Sequence, residues 1–431
     1  MTSYIDVRNN NMTKDARVVA TFFEPGGNVY NQQETTVPFR GTRTLEAPSG
    51  FDGSAMVVGS QDIVVVVRRE SSTRVAAYTG VADGNAGTGW GQRGNVVYVP
   101  IVMYNIWGGW FSKFYIQNTE DNPSNDYPAT IRITIYFYNP NGSLKTSRQF
   151  DLPGRGSMVL DPSFLGSNFW GSAYIYSPEP LAVVMMQDHP SAGTSIYNAF
   201  AAGANTAYLP SLMRSWYGWL SSFAVQNLGN SPTNVQIRYV EDNGHVTDRT
   251  YPNLAPKAAL VVVQSDPTYG VPHDNWHGSA RLTAGQPIAA IITQESKPSA
   301  HQGYSGYLGG GSVLYGPFAA DYWTTGINPV YTYRSCSDAQ NLGSTAADVS
   351  SRYFDEGGWD WGGRTVADVP PLRVATFYVP DLQEQVPDGF KVSVRLTIEA
   401  GRTVAGIHDY ARAKNGVESG DFGASYNLVP R

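Results

Sequence analysis

The sequence predicts an all-β protein made of tandem antiparallel β-sandwiches. A unit of about 110 residues recurs along the chain of 431 residues. Inside each unit, short segments alternate β-branched or aromatic residues with polar ones and end in Gly-rich turns, the pattern of strands joined by hairpins. No segment keeps the 3.6-residue hydrophobic period of a helix over about ten residues or more. These observations together favour strands throughout.

The repeat is clearest in residues 98–118 and 208–227. Both stretches contain, in the same order, Tyr-x-Pro, Met, Gly-Trp, Ser, Phe and Gln-Asn, with one residue inserted in the first of them. Each stretch ends on an Asn that marks one register in four places: Asn9, Asn118, Asn227 and Asn341. The sequence therefore predicts four tandem repeats.

The predicted strands of a unit follow a fixed order. After the Asn come a polar loop and an apolar-rich strand closed by a Gly turn, as in IRITIYFYNPNG (131–142), which is a hairpin pattern. A marker such as FDGSAMV (51–57) or FWGSAYI (169–175) begins the next strand. A nearly continuous apolar run follows, which predicts a strand buried on both sides. It ends on an acidic residue in each unit: Glu70, Asp188, Glu295 and Asp409.

With the leading Tyr-x-Pro strand, each unit has about seven strands, which is typical of an immunoglobulin-like sandwich. We therefore expect four such domains, at residues 1–95, 96–205, 206–312 and 313–419, and a tail at 420–431.

The two ends of the chain are out of phase with this unit. The leading strand begins at Tyr98, Tyr208 and Tyr315 in the last three units, but only eight residues precede Asn9. We therefore expect the first domain to lack its opening strand. The tail contains a segment that resembles that strand, at Tyr426, Leu428, Val429 and Pro430.

A sandwich without one strand leaves an apolar groove and unpaired backbone groups at its edge. We expect the tail of one copy to fill that edge in domain one of the next, whose acceptor region begins with Tyr4, Ile5 and Val7. Because donor and acceptor lie at opposite ends, the contact would build a head-to-tail filament. Two alternatives remain open. The tail could fold back onto its own first domain, or the final Leu-Val-Pro-Arg could be the remnant of an engineered protease site.

Three pairs of Trp residues suggest a second function class, a surface adhesin or carbohydrate-binding protein. Such rings could stack on surface glycans or seal contacts between domains. The candidate interface or glycan-binding residues are Trp107, Trp110, Trp216, Trp219, Trp359 and Trp361.

Composition excludes several other classes. Charged residues make up 15% of the chain and the net charge is −6, so there is no basic footprint for nucleic acid. No run of about 18 apolar residues predicts membrane insertion. No secretory signal is visible at the N-terminus, which fits either a protein that stays inside the cell or a processed form. A single cysteine, Cys336, rules out an internal disulfide framework and is expected to be a small buried residue.

Candidate catalytic and metal-binding residues are few, and we expect neither an enzyme nor a cofactor. The carboxylate pairs Glu241-Asp242 and Asp355-Glu356 fall at the hairpin turn of their repeats, so turn chemistry explains them better than glycosidase chemistry. His273 and His277 have the spacing of helical metal ligands, but Pro272 favours a loop. The loop at 83–87 has calcium-like residues without a closing Glu.

Two glycosylation sequons begin at Asn11 and Asn141, in predicted surface loops.

The motifs Tyr-Leu-Pro-x-x-Met-Arg, Gly-Trp-x-Ser-x-Phe-x-x-Gln-Asn, the Asn-Gly hairpin and Gly-Ser-Ala cover repeats two and three well, and repeats one and four partly. Together they resemble the tandem β-sandwich repeats of surface and secreted proteins in filamentous, often thermophilic bacteria of the green non-sulfur type. The resemblance implies an extracellular location and a structural or adhesive role. It does not imply an active site, because the shared motifs are strand and turn markers.

Overall fold

A computed structural model describes residues 1–82, 91–120, 129–296, 300–324, 331–382, 386–414 and 423–430. Within these ranges the chain forms antiparallel β-sheets and two short 3₁₀ helices, Ser163–Leu165 and Val379–Leu382, with no α-helix. None of the described helices is long and apolar enough to cross a membrane. The predicted all-β class of antiparallel sheets is confirmed.

In the described part of repeat one, seven strands form two sheets, in the orders β3-β2-β5 and β4-β1-β6-β7. They are β1 (Thr2–Asn9), β2 (Ala16–Phe23), β3 (Val29–Val37), β4 (Thr42–Glu46), β5 (Ser54–Gly59), β6 (Ile63–Glu70) and β7 (Val75–Thr79).

Repeats two and three have the same topology as each other. The strands of repeat two are β8 (Gly94–Ile106), β9 (Trp110–Asn118), β10 (Ile131–Tyr138), β11 (Leu144–Leu152), β12 (Ser157–Leu160), β13 (Phe169–His189) and β14 (Gly193–Asn198). Those of repeat three are β15 (Ala204–Trp216), β16 (Trp219–Asn227), β17 (Thr233–Glu241), β18 (Val246–Leu254), β19 (Ala259–Val263), β20 (Trp276–Ser296) and β21 (Ala300–Ser305). The sheet orders are β11-β10-β13-β8-β9-β12 and β18-β17-β20-β15-β16-β19, with β14 on β13 and β21 on β20.

Where the structure describes repeat four, its strands form two sheets, in the orders β26-β25-β29-β22-β32 and β23-β24-β30-β31, with β27 on β25 and β28 on β24. Its strands are β22 (Val313–Asp321), β23 (Trp323–Thr324), β24 (Tyr331–Asn341), β25 (Ala347–Phe354), β26 (Asp360–Gly362), β27 (Thr365–Val369), β28 (Val374–Tyr378), β29 (Phe390–Ile398), β30 (Val404–Lys414), β31 (Gly423–Asn427) and β32 (Val429–Pro430).

The four marker Asn residues each end a strand, namely β1, β9, β16 and β24. Their side chains hold the loops that follow. Asn227 Nδ2, for example, donates to the carbonyls of Ser231 and Leu254, both at 2.9 Å, and Asn341 does the same for Thr345 and Val369. An amide side chain can donate twice from one position, which explains why the same residue type recurs there.

The four repeats close on themselves around a common centre. β14 contacts β7 and β21, while β31 contacts β21 and β7. The final strands of the repeats therefore surround one axis. Repeat four also contacts repeat one directly, where Thr42 Oγ1 donates to the carbonyl of Pro317 at 3.0 Å. The arrangement is a closed ring of repeats.

The described part of the tail, residues 423–430, forms the last two strands of repeat four, β31 and β32. β31 pairs antiparallel with β30, as β14 pairs with β13 and β21 with β20. Tyr426 and Asn427 occupy the positions of Tyr197 and Asn198 in this pairing. The predicted likeness of the tail to a leading strand therefore does not describe its place in the single chain.

Candidate functional site

The residues nearest the axis form a closed cycle of hydrogen bonds. Asn198 Nδ2 donates to the carbonyl of Thr79 at 2.7 Å, and Thr79 Oγ1 donates to the carbonyl of Asn427 at 2.8 Å. Asn427 Nδ2 donates to the carbonyl of Ser305 at 2.6 Å, and Ser305 Oγ donates to the carbonyl of Asn198 at 2.8 Å. All four residues are buried. The cycle joins all four repeats.

The leading strands lie at the seams between consecutive repeats. β8 of repeat two pairs with β13 and packs against β16 and β20 of repeat three. β15 of repeat three pairs with β20 and packs against β24 and β30 of repeat four. The two strands have the same burial pattern along thirteen residues. β22 of repeat four, in turn, packs against β1 and β6 of repeat one.

In repeats two and three, the leading strand pairs with β13 and β20, respectively. The equivalent strand of repeat one is β5, which carries the same Gly-Ser-Ala marker. In the described part of the chain β5 pairs with β2 alone. Its inward-facing residues Ala55 and Val57 are partly exposed, whereas their counterparts Ala173 and Ile175 are fully buried. Val58, on the other face, is 53% exposed.

The free edge of β5 borders a groove of about 1480 Å³ between repeats one and two. One wall is made by β5 and by Val65 and Val67 of β6, and the opposite wall by residues of β9 and β13 such as Tyr115 and Val184. These are the strands of repeat two that correspond to β16 and β20 of repeat three. The groove therefore lies where a leading strand lies at the next seam. Both ends of the described chain, Met1 and Pro430, also line it.

Tyr78 of β7 lines this groove. The equivalent residue of each other repeat is also a tyrosine: Tyr197, Tyr304 and Tyr426. Tyr197 donates its hydroxyl hydrogen to the carbonyl of Ile101 on β8 at 3.0 Å. Tyr304 and Tyr426 donate likewise to carbonyls on β15 and β22. Within the described ranges, the Tyr78 hydroxyl makes no such bond. The sequence predicts β5 as a strand through its FDGSAMV marker, but it does not predict the open edge of β5 or single out Tyr78. Aligning this marker with FWGSAYI of β13, the strand that pairs with β8, could have identified the edge.

The structure places the proposed acceptor residues Tyr4, Ile5 and Val7 in the interior of a sheet. β1 lies between β4 and β6 and pairs with both along its length. Neither of its edges is free for a donated strand. In repeat one, as far as the structure describes it, β5 has an edge without a partner strand, whereas its counterparts β13 and β20 pair with leading strands.

The proposed donor residues lie in repeat four. Tyr426 and Leu428 are 1% and 0% exposed, and Leu428 N donates to the carbonyl of Gly406 at 2.9 Å. Val429 and Pro430 pair with Tyr315 and Leu314 of β22. The tail is therefore held by its own chain.

The six Trp residues divide into packed and exposed rings. Trp110 lies between His189 and His301, Trp216 stacks on His277 and Trp361 packs on Phe390. Trp219 is partly buried near Gly423. Trp107 and Trp359 are 51% and 68% exposed. The rings do not form one shared platform, because the exposed pair belongs to repeats two and four.

His277 forms a buried contact between repeats three and four. Its Nδ1 lies 2.6 Å from Asp242 Oδ2, and its Nε2 lies 3.6 Å from Asp338 Oδ2. Burial by itself would lower the pKa of His277, but the hydrogen bonds and charges of the two carboxylates raise it to about 10. The protonated ring therefore acts as a cation at the seam. His273 lies apart, 3.3 Å from Glu241, so the two His residues do not converge on a metal.

The second carboxylate pair holds a turn. Asp355 Oδ1 accepts from the Trp359 amide at 2.9 Å, and Glu356 lies 2.6 Å from Lys391 Nζ. No group of three or more His, Cys, Asp or Glu residues in the described ranges could hold a metal ion. Cys336 is a partly buried free thiol. The predicted loop at 83–87 lies outside the described residues.

Both sequon Asn residues lie in turns. Asn11 Oδ1 accepts from the Thr13 amide, and Asn141 Oδ1 accepts from the Ser143 amide.

No family model matches the chain, and no curated protein matches it. Among solved structures, the crystal structure of Thermotoga maritima 1070 matches over 24% of this chain and 94% of that chain, with 15% identity and a TM-score of 0.21. The Anabaena sensory rhodopsin transducer matches over 20% of this chain and 93% of that chain, with 18% identity and a TM-score of 0.17. A tetra-tandem repeat from the extending region of a large adhesion protein matches over 98% of this chain and 93% of that chain, with 11% identity and a TM-score of 0.13. TM-scores of this size carry no argument about fold or function.

Proposed function

We propose that this protein is a non-catalytic structural subunit of an extracellular assembly, and that it holds another polypeptide by accepting a strand at repeat one. In this proposal the chain is four immunoglobulin-like sandwiches, of which the first lacks its opening strand. The observation that carries the proposal is the free edge of β5 beside a groove that is lined in part by apolar residues of β5 and β6. An unpaired edge is a template for strand addition unless something covers it.

The energetics of such an addition are favourable. About five backbone hydrogen bonds contribute roughly 0.5–1.5 kcal/mol each. Two apolar side chains buried against Ala55 and Val57 add about 1.5–3 kcal/mol each. The incoming segment loses conformational entropy when it becomes ordered, and this cost lowers the net affinity.

Amide hydrogen exchange in the isolated protein tests whether the edge is open. The Ser60 amide donates to Arg17 on β2, and donor direction alternates along a strand, so the amides of Ala55 and Val57 point away from β2. We expect these two amides to exchange at least about 100-fold faster than those of Ala173 and Ile175, which face a seated leading strand. Equal protection at the four positions would show that the edge is covered and would overturn the proposed function.

Head-to-tail self-assembly through the tail is a second candidate, favoured by the fact that Val429 and Pro430 line the same groove. For donation to another copy, Tyr426 and Leu428 would have to leave their buried places in repeat four. Negative-stain microscopy of the full-length protein and of a copy lacking residues 425–431, with circular dichroism as a check on folding, tests it. Filaments formed only by the full-length protein would support it, and a full-length protein that stays monomeric at high concentration would overturn it.

A further inference from the structure

We propose that the groove of repeat one selects an extended segment of a partner polypeptide that carries an apolar residue, Tyr, a second apolar residue and Pro, in that order. The segment binds antiparallel to β5 with its Tyr opposite Met56. This inference rests on the proposed function, since it specifies which strand the acceptor edge takes.

The register comes from the three seams where a leading strand is seated. Tyr98 lies opposite Tyr174, Tyr208 opposite Arg281 and Tyr315 opposite Arg395. Tyr174 and Arg281 each follow Gly-Ser-Ala directly, in the sequences GSAY and GSAR. Met56 follows the same three residues in GSAM. A strand that repeats the geometry of the other seams therefore places its Tyr at Met56.

The residues on either side of that Tyr face the core. Val97 and Val99 flank Tyr98 and are 1% and 0% exposed, and the residues that flank Tyr208, Ala207 and Leu209, are both fully buried. In repeat one the side chains that would face the incoming strand are Val57 and Ala55, which are partly exposed when no strand is bound there. Apolar side chains of this size bury surface on both partners, whereas charged ones would lose hydration without a partner.

A proline follows two residues after the Tyr at each seated seam: Pro100, Pro210 and Pro317. The strand register shifts at this point in all three pairings, between Gly171 and Ala173, between Leu209 and Leu212, and between Gly316 and Ala319. Proline has no amide hydrogen to donate and is tolerated at such bulges. A bulge at the same place makes proline acceptable in the incoming strand and disfavours it at the neighbouring paired positions.

Tyr78 supplies a backbone contact for the incoming strand. The accepting carbonyls at the other seams belong to Ile101, Ser211 and Phe318, each three residues after the Tyr of its leading strand. Tyr78 has the equivalent place on β7, paired with Val67 as Tyr197 is paired with Met185. Its hydroxyl is therefore positioned to donate to the third carbonyl after the incoming Tyr.

Peptide binding to the full-length protein tests the inference. The probe is a synthetic copy of residues 94–103, GNVVYVPIVM, with two lysines and a fluorophore appended, measured by fluorescence anisotropy. A scrambled peptide and a copy with aspartate at the positions of Val97 and Val99 serve as controls. We expect the copy to bind at least about ten-fold more tightly than either control, because the aspartate copy loses the apolar pair and the scrambled peptide loses the order of apolar residue, Tyr and Pro.

Protein variants locate the bound peptide. Val57→Lys puts a charge into the groove and is expected to abolish binding, while Val246→Lys, on the exposed strand β18, is its matched control and leaves binding unchanged. Tyr78→Phe weakens binding about five-fold, the effect of one lost hydrogen bond. For the register, a peptide with Cys in place of its Tyr should form a disulfide with Met56→Cys and not with Val58→Cys, both in a Cys336→Ser background.

The outcomes separate this inference from the proposed function. If Ala55 and Val57 exchange fast but the peptide binds no better than its scrambled form, the selected pattern is wrong and the acceptor edge stands. If the peptide binds but its cysteine forms a disulfide with the Val58→Cys variant and not with Met56→Cys, the register is wrong. If the two amides are protected in the isolated protein, both proposals fail.

Discussion

Asn427 and Ser305 exchange two hydrogen bonds across the centre of the molecule. Asn427 Nδ2 donates to the Ser305 carbonyl at 2.6 Å, and the Ser305 amide donates to Asn427 Oδ1 at 2.9 Å. Both residues are buried, so neither partner can turn to water when the other is lost. This pair connects the last strand of the chain to repeat three, and through the central cycle to repeats one and two.

Asn427→Ala should destabilise the protein by about 2–4 kcal/mol, because it leaves the amide and the carbonyl of Ser305 buried without partners. The control is Asn205→Ala, whose exposed side chain donates only to the Ala284 carbonyl at 3.0 Å, with an expected loss below about 1 kcal/mol. Urea unfolding of the two variants checks the difference. Equal midpoints would mean that the central cycle does not contribute to stability.

The seam between repeats two and three depends on a close approach at Gly142. Its φ is +86°, and a Cβ there would lie 2.3 Å from the carbonyl oxygen of Pro256. Gly244 occupies the corresponding turn of repeat three with φ +90°, yet nothing lies within 4 Å of its Cβ position. Gly244→Ala should therefore cost about 1 kcal/mol from backbone strain alone. Gly142→Ala should cost a further 1–3 kcal/mol or so, because the seam must open. Thermal unfolding of the pair measures the contribution of the seam, and equal losses would count against it.

The strands and their order could be predicted from sequence because the information is local. Asn9, Asn118, Asn227 and Asn341 end equivalent strands as the repeat spacing predicts, and the apolar runs form β6, the second half of β13 and of β20, and β30. The markers and the runs were expected as separate strands, but in repeats two and three they join into single strands of 21 residues.

The placement of the tail could not be derived in the same way. Tyr426 fits the leading strand and the last strand equally well, since both contain Tyr within a short apolar segment. Closure of the ring depends on long-range contacts such as that of Gly358 with the carbonyl of Phe39. A local sequence pattern does not predict such contacts. The free edge of β5 could not be predicted for the same reasons. It is recognised only after the tail has been assigned to repeat four.

The charge on His277 should make stability fall at high pH. Its pKa is raised from 6.5 to about 10 in the folded protein, so the folded state holds a proton that the unfolded state releases. The resulting stabilisation is fully present below pH 6.5 and is lost as the pH rises through about 10. Urea midpoints at pH 6, 8 and 10 or so should fall for the wild type more than for His277→Gln. Parallel pH profiles would show that the ring is neutral at this seam.

The contact between repeats one and four contains a balanced set of buried charges, and its disruption tests whether the ring is closed. Arg68 lies 2.5 Å from both Asp6 and Glu70, and Arg412 lies 3.3 Å from Glu70. Tyr333 also donates its hydroxyl hydrogen to Glu70 at 2.5 Å. Two carboxylates face two guanidinium groups, so the set is close to neutral.

Glu70→Gln removes one negative charge and leaves an excess positive charge in a buried site. We expect a loss of about 3–5 kcal/mol in the free energy of unfolding, as when one partner of a buried ion pair is removed. Glu34→Gln is the matched control, because Glu34 pairs with Arg17 at an exposed position, where water screens the pair and its loss should change stability far less. Added salt should leave the first loss nearly unchanged, since buried charges are weakly screened. Arg412 belongs to repeat four and Glu70 to repeat one, so a Glu70→Gln effect as small as that of Glu34→Gln would mean that these two repeats do not meet in solution.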